Sequence, residues 1–197
     1  MGKFSFWAII TTLAITVFFN SCTKASTKST TIVPVHDTLP AIGASYGGGI
    51  LAYVLHPGEF GYDSSTPHGI IVAPTDQSTG ISWFNGTYIA TSATGRRIGT
   101  GIANTNAILA SQGAGSYAAS ICRGLSLGGH TDWYLPSIDE LYKLYLNRAV
   151  IGGFSENTYW SSTEYSDSIA WGQIMFTGGQ AVGLKDIGNN VRAVRSF

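Results

Sequence analysis

Residues 128–145 read GGHTDWYLPSIDELYKLY, and the fold turns on whether His130, Asp132, Ser137, Asp139 and Glu140 form a site or build a helix. Ser137-Ile138-Asp139-Glu140 has the pattern of a capping box. In that pattern the serine hydroxyl accepts from the backbone N–H of Glu140, and the glutamate carboxylate reaches back to the N–H of Ser137. Asp139 then occupies the first turn, where the helix dipole favours negative charge. Ile138, Leu141, Leu144 and Tyr145 follow at helical spacing, and Gly152-Gly153 is expected to close the element. The acidic pair therefore has a structural role, and Trp133, Ser137, Glu140, Trp160 and Trp171 are read as structural residues.

Catalytic readings of the same stretch lack partners. His130 and Asp132 sit on a Gly-rich loop, but a metal site needs three or four converging ligands and no HxH, HExxH or Cys cluster supplies them. No metal and no cofactor is expected. A Ser-His-Asp arrangement fails because Ser137 is used as a cap and no GxSxG elbow exists. GRRIGTG (95–101) lacks the lysine of a phosphate-binding loop. Arg96-Arg97 within it reads as a solvated bend, with contact to an anionic ligand as the alternative.

Outward from this stretch, 197 residues with 44% hydrophobic content can bury one ordinary core. The formal net charge of +0 and the 11% of charged residues give no basic footprint for a phosphate backbone, which excludes nucleic acid as the expected partner. At the start, Lys3 precedes the apolar run FSFWAIITTLAITVFF (4–19), too short to span a bilayer reliably and typical of an export signal. Its end at Ser21-Cys22 resembles a bacterial lipobox, which implies a lipoprotein signal over 1–21 and acylation of Cys22, with a plain secretory signal as the alternative. Residues 22–41 are rich in Ser, Thr and Pro and read as a tether, leaving 42–197 as the folded domain. The expected location is the bacterial cell envelope, lipid-anchored at the outer membrane through Cys22. Cys122 is then left without an intramolecular partner and reads as a small buried apolar residue.

Strands are expected in 47–55 and 68–74, and ISWFNGTYIA (81–90) predicts a hairpin turning at Asn85-Gly86. Helix-compatible segments occupy 103–124 around GAGS, and short strands follow in 157–165, 168–176, 178–185 and 189–197. The class is α+β, with short antiparallel strands and two or three helices.

GGHTDWYLPSIDELYKLY, YWSSTEY (159–165), AWGQ (170–173) and VRAVRSF (191–197) together resemble the Lcl C-terminal domain family, over roughly residues 43–197. That family commonly reads DWRLP where this chain has Tyr134, a departure that removes one possible ion pair. The resemblance implies a C-type lectin-like scaffold, and DWxLP is also similar to a segment of formylglycine-generating enzymes on that scaffold. Scaffold does not fix function. The thiol chemistry of those enzymes needs reactive cysteines, and the Glu-Pro-Asn and Trp-Asn-Asp calcium signatures of sugar-binding lectins are missing here. No collagen-like repeat is present, so trimerisation through such a stalk does not carry over.

The spacing of the C-terminal stretch is similar to that of the targets of diversity-generating retroelements in lectin-like proteins. Trp171, Gln173, Phe176, Gly179, Gln180 and Lys185 would be framework. Between them, Ser166, Asp167, Ser168, Ile169, Gly172, Ile174, Met175, Thr177, Ala181, Val182, Gly183, Leu184, Asp186 and Ile187 form a candidate ligand-binding face. Ordinary hairpin strands facing a core are the equal alternative. The expected function is a non-catalytic, adhesin- or receptor-like lipoprotein recognising a glycan or protein through this face. An enzyme on a formylglycine-generating-type scaffold and a structural lipoprotein without ligand remain open.

Overall fold

β-branched and aromatic runs bounded by glycine and proline form the first sheet. It contains β1 (Ser45–Tyr46), β2 (Gly49–Val54), β3 (Gly69–Val72) and the last strand of the chain, β9 (Val194–Ser196), in the order β1-β2-β3-β9 with every pair antiparallel. The computed structural model describes Gly2 and residues 39–197. The expected signal apart from Gly2, the acylation site Cys22 and the tether up to residue 38 lie outside the described residues.

The second sheet holds β4 (Ser78–Ile81), β5 (Thr158–Glu164), β6 (Ile169–Ile174), β7 (Gln180–Leu184) and β8 (Asn189–Val191), in the order β4-β8-β5-β6-β7. Its ladders are antiparallel except for a parallel pairing of β5 with β8 at Tyr159 and Asn190. Among the described residues four helices lie between β4 and β5 in sequence: α1 (Gly101–Gln112), α2 (Ala118–Arg123), α3 (Ile138–Leu146) and α4 (Arg148–Ile151). The chain is α+β, as expected, with one helix more than the two or three anticipated. The extra element arises because α3 stops at Asn147 and a separate turn, α4, runs on to Gly152, whose φ of 76° ends it.

The hairpin expected over 81–90 does not form. Gly86 does take the positive φ of 88° that an Asn-Gly turn demands, but β4 ends at Ile81 and residues 82–90 form no strand. Burial of Trp83 wins over local pairing. Its indole N–H donates to Ser161 O at 2.7 Å and its backbone N–H to Lys185 O at 2.9 Å. The Asn85 amide meanwhile donates to the carbonyls of Gln112 and Ala114, which ties the turn to the end of α1.

Two apolar clusters fill the interior. One gathers Trp83, Tyr117, Cys122, Trp133 and Trp160; the other gathers Ile70, Tyr134, Leu141, Leu144 and Tyr159. α3 reaches the second through Leu141 and Leu144, the buried stripe that its helical spacing predicts. The motifs at 132–136 and 191–197 close on one another: Tyr134 and Val194 exchange backbone hydrogen bonds of 2.8 and 3.0 Å, and Asp132 pairs with Arg195 at 2.8 and 2.9 Å. Arg192, fully buried, donates to Asp76 and to the carbonyls of Gly152 and Gly153 while lying over Phe154.

Candidate binding face

Every polar residue of the 132–140 stretch except Asp139 is engaged structurally. Ser137 Oγ accepts from Glu140 N at 3.3 Å, and Glu140 Oε2 accepts from Ser137 N at 2.7 Å. Glu140 Oε1 accepts from Gly99 N at 2.8 Å, so this carboxylate also fixes the loop before α1. Burial pushes the Glu140 carboxyl above its ordinary range, opposed by the N–H groups of Ser137 and Gly99. The N–H groups of Ile138 and Asp139 are taken by Thr163 Oγ1 and Arg96 O, which leaves the N-terminus of α3 no free donor for an anion. Trp133 is fully buried, and Trp160 nearly so, with its indole N–H on Ile81 O. His130 contributes only a backbone pairing with Leu127, and among the described residues no group of three or more His, Cys, Asp or Glu converges as metal ligands would.

The β6–β7 hairpin divides the C-terminal candidate residues between two faces. Register places Ile169 opposite Leu184, Trp171 opposite Val182 and Gln173 opposite Gln180, and such directly opposed residues share a face. β7 is the edge strand, and on this face Val182 and Leu184 are exposed. Tyr165, 60% exposed, stands edge-on to Trp171 with ring centroids 5.7 Å apart. The Arg96 guanidinium lies 4.2 Å from the Trp171 ring centre and donates to Gln180 Oε1, which holds the half-buried indole in place. Tyr165, Ile169, Trp171, Val182 and Leu184 thus form one apolar patch. Ser166, Asp167 and Ser168 sit at its rim in the β5–β6 turn.

The remaining candidates point elsewhere. Gly172, Ala181, Gly183 and Ile187 line a shallow cleft of about 100 Å³ beside Thr158 and Trp160 on the reverse face. Ile174 alternates onto that reverse face as well. Met175 is 2% exposed in the second core cluster, and Gly172 is buried with Thr158 against it, so neither belongs to an exposed surface. Thr177 lies in the β6–β7 turn, and Asp186 and Ile187 follow β7, all exposed.

Two residues read as framework prove to be anchors. Gln173 is fully buried. Lys185 is fully buried too, and its Nζ reaches Glu164 Oε1 at 2.5 Å, donates to the carbonyls of Ile89 and Asp167, and lies 4.5 Å from the Trp83 ring centre. Glu164 in turn accepts from the N–H groups of Thr91 and Ser92. This ion pair ties the end of β7, the β5–β6 turn and the 89–92 segment together. Its two members are far apart in sequence, and only the apolar context of Lys185 could have hinted at burial.

A groove that sequence reasoning missed lies between the 56–62 loop and α3. It has a volume of about 730 Å³ and is walled by Phe60, Tyr62, Tyr142, Arg97, Glu59 and Lys143. No periodicity marks a loop aromatic such as Phe60 as functional, so the only available signal was its clustering with Tyr62 in a Gly-rich turn.

A family model described as the Lcl C-terminal domain matches residues 73–195, from just after β3 into β9. The chain belongs to the Lcl C-terminal domain family. The matched span starts later than the residue 43 suggested by the motifs, with β1, β2 and β3 preceding it. No curated protein matches the chain. Tyr134, standing where members of the Lcl C-terminal domain family commonly have Arg, is buried with its hydroxyl 2.8 Å from Ser196 Oγ and 3.4 Å from Glu140 Oε1. Asp132 loses nothing by this departure, because Arg195 supplies its guanidinium and holds its carboxyl below the ordinary range.

Proposed function

We propose that this chain is a non-catalytic, adhesin-like binding lipoprotein of the bacterial cell envelope, with a C-type lectin-like scaffold. On this reading it is anchored at the outer membrane through Cys22 and recognises a glycan or protein through the Trp171 face of the β6–β7 hairpin. The observation that carries the reading is the patch itself. Exposed Tyr165, Val182 and Leu184 surround the clamped Trp171 on an edge hairpin, with a polar rim at Ser166, Asp167 and Ser168. A monomer with no ligand for it has little reason to gather apolar side chains at one exposed site, and rigid aromatics bury area at low entropic cost.

The non-catalytic reading is supported by what the reactive groups are doing. Cys122 is fully buried, and burial pushes its thiol well above the ordinary range, away from the thiolate that nucleophilic chemistry requires. Glu140 and Asp132 are committed to the cap and to Arg195. The same face also suits a diversified receptor, since exposed Val182 and Leu184 lie on it next to the buried anchor Lys185.

Arrays of host and bacterial glycans and of extracellular proteins, probed with the full chain, test the binding reading. Saturable capture on defined spots is the expected result; none at all would count against it. Anchoring is tested separately by Cys22→Ser, which should release the protein from membranes, whereas unchanged retention contradicts acylation at this position.

A further inference from the structure

The groove between the 56–62 loop and α3 shares no residue with the β6–β7 face, and its chemistry is different. Phe60 is 75% exposed, yet its loop is pinned. Glu59 accepts from His56 N at 2.9 Å and from Tyr53 OH at 2.8 Å, and pairs with Lys143 at 3.2 Å, while Tyr62 N donates to Glu59 O. Phe60 also rests against Gly99, where φ is +85° and an added Cβ would lie 2.7 Å from the ring. Across the groove Tyr142 stacks over Tyr145, which itself carries the Arg148 guanidinium. Two exposed aromatic rings are therefore held at the groove rather than folded away.

The polar groups between them are balanced in sign. Glu59 and Lys143 already neutralise each other, and Arg97 and Asp139 add one charge of each sign with no ion-pair partner among the described residues. A polyanion meets as much repulsion as attraction here. A neutral, hydroxyl-rich ligand finds donors in Arg97 and Lys143, acceptors in Glu59 and Asp139, and flat apolar surfaces in Phe60 and Tyr142. The volume of about 730 Å³ is within the range usual for small-ligand sites and suits roughly two or three pyranose rings. Beside Phe60 a smaller pocket of about 250 Å³, walled by Leu55, His68, Ile70, Gly99 and Glu140, adjoins the groove.

We propose that this groove is a binding site for a neutral oligosaccharide, its pyranose rings packed on Phe60 and Tyr142. Preorganised rings and a pre-paired carboxylate lower the ordering cost of binding. The site stands independently of the hairpin face, so either can fail without the other.

The test is isothermal titration of the full chain in detergent with three probes: maltotriose, triacetylchitotriose and, as the anionic comparison, trigalacturonic acid. At least one neutral trisaccharide should bind saturably, with affinity reduced tenfold or more in Phe60→Ala and in Tyr142→Ala and unchanged in Arg123→Ala, an exposed position on neither the groove nor the hairpin face. Thermal melts of the variants identify any that fail to fold, and Glu59→Gln, which keeps the loop's shape, should weaken binding as a second check. The proposal is overturned if no neutral trisaccharide binds, if the anionic one binds more tightly, or if folded Phe60 and Tyr142 variants keep the parent affinity.

Discussion

Ser137 and Glu140 show how far one residue pair can be read from sequence. Their spacing specified the cap, and the structure forms it, but the second oxygen of Glu140 on Gly99 N has no sequence signature because residues 99 and 140 meet only through the fold. Ser137→Ala should cost about 1 kcal/mol of stability, as loss of a serine cap does. Trp133→Ala, emptying a fully buried site, should cost about 3–5 kcal/mol. Chemical denaturation midpoints measure both, and equal, small effects would contradict the assignment of Trp133 to the core. Because the folded-state pKa of Glu140 is raised, its contribution is full below the unfolded value of 4.5 and declines as pH rises through the folded value. Glu140→Gln should flatten that decline in a pH series of melts.

At the scale of elements, the β6–β7 hairpin was legible as two strands, but its division into two faces was not. Period-2 alternation places residues on faces without saying which face meets α3 and which meets water, and the mixed apolar pattern of 166–187 left core and surface equally plausible. The 81–90 segment misled for the opposite reason: Asn85-Gly86 is a strong local signal, and the burial of Trp83 overrode it. The hairpin depends on Lys185 and Glu164. Lys185→Met should destabilise by about 3–5 kcal/mol, the usual result of leaving one member of a buried pair. Glu164→Gln should be at least as damaging, because the N–H groups of Thr91 and Ser92 lose their charged acceptor as well. If the face is diversified, sequencing residues 163–197 across a natural population should find changes at Ser166, Asp167, Ser168, Val182 and Leu184 and none at Gln173 or Lys185. Changes spread evenly over buried and exposed positions would argue for drift instead.

For the whole molecule, the class and most elements followed from glycine- and proline-bounded apolar runs. The closure of the two sheets did not follow, because it rests on pairs distant in sequence. Asp132 with Arg195 and Asp76 with Arg192 bind the C-terminal segment to the loop before α3 and to the β3–β4 connection. Arg195 holds the Asp132 carboxyl below its ordinary value of 3.8, so the stability this pair supplies is present above that value and is lost as pH falls through the folded pKa. Acid unfolding should therefore be less steep in Asp132→Asn. On the proposed reading, the apolar patch on the edge hairpin is what would turn this closed framework into a recognition module. The most direct test is the affinity of the full chain for a ligand captured on the arrays, compared between the parent and Val182→Asp/Leu184→Asp, with melting temperatures recorded alongside. A tenfold or greater loss of affinity with little change in melting is the predicted result, since exposed substitutions usually alter stability by less than about 0.5 kcal/mol each. Undiminished affinity in the folded double variant would show that the ligand is bound somewhere else.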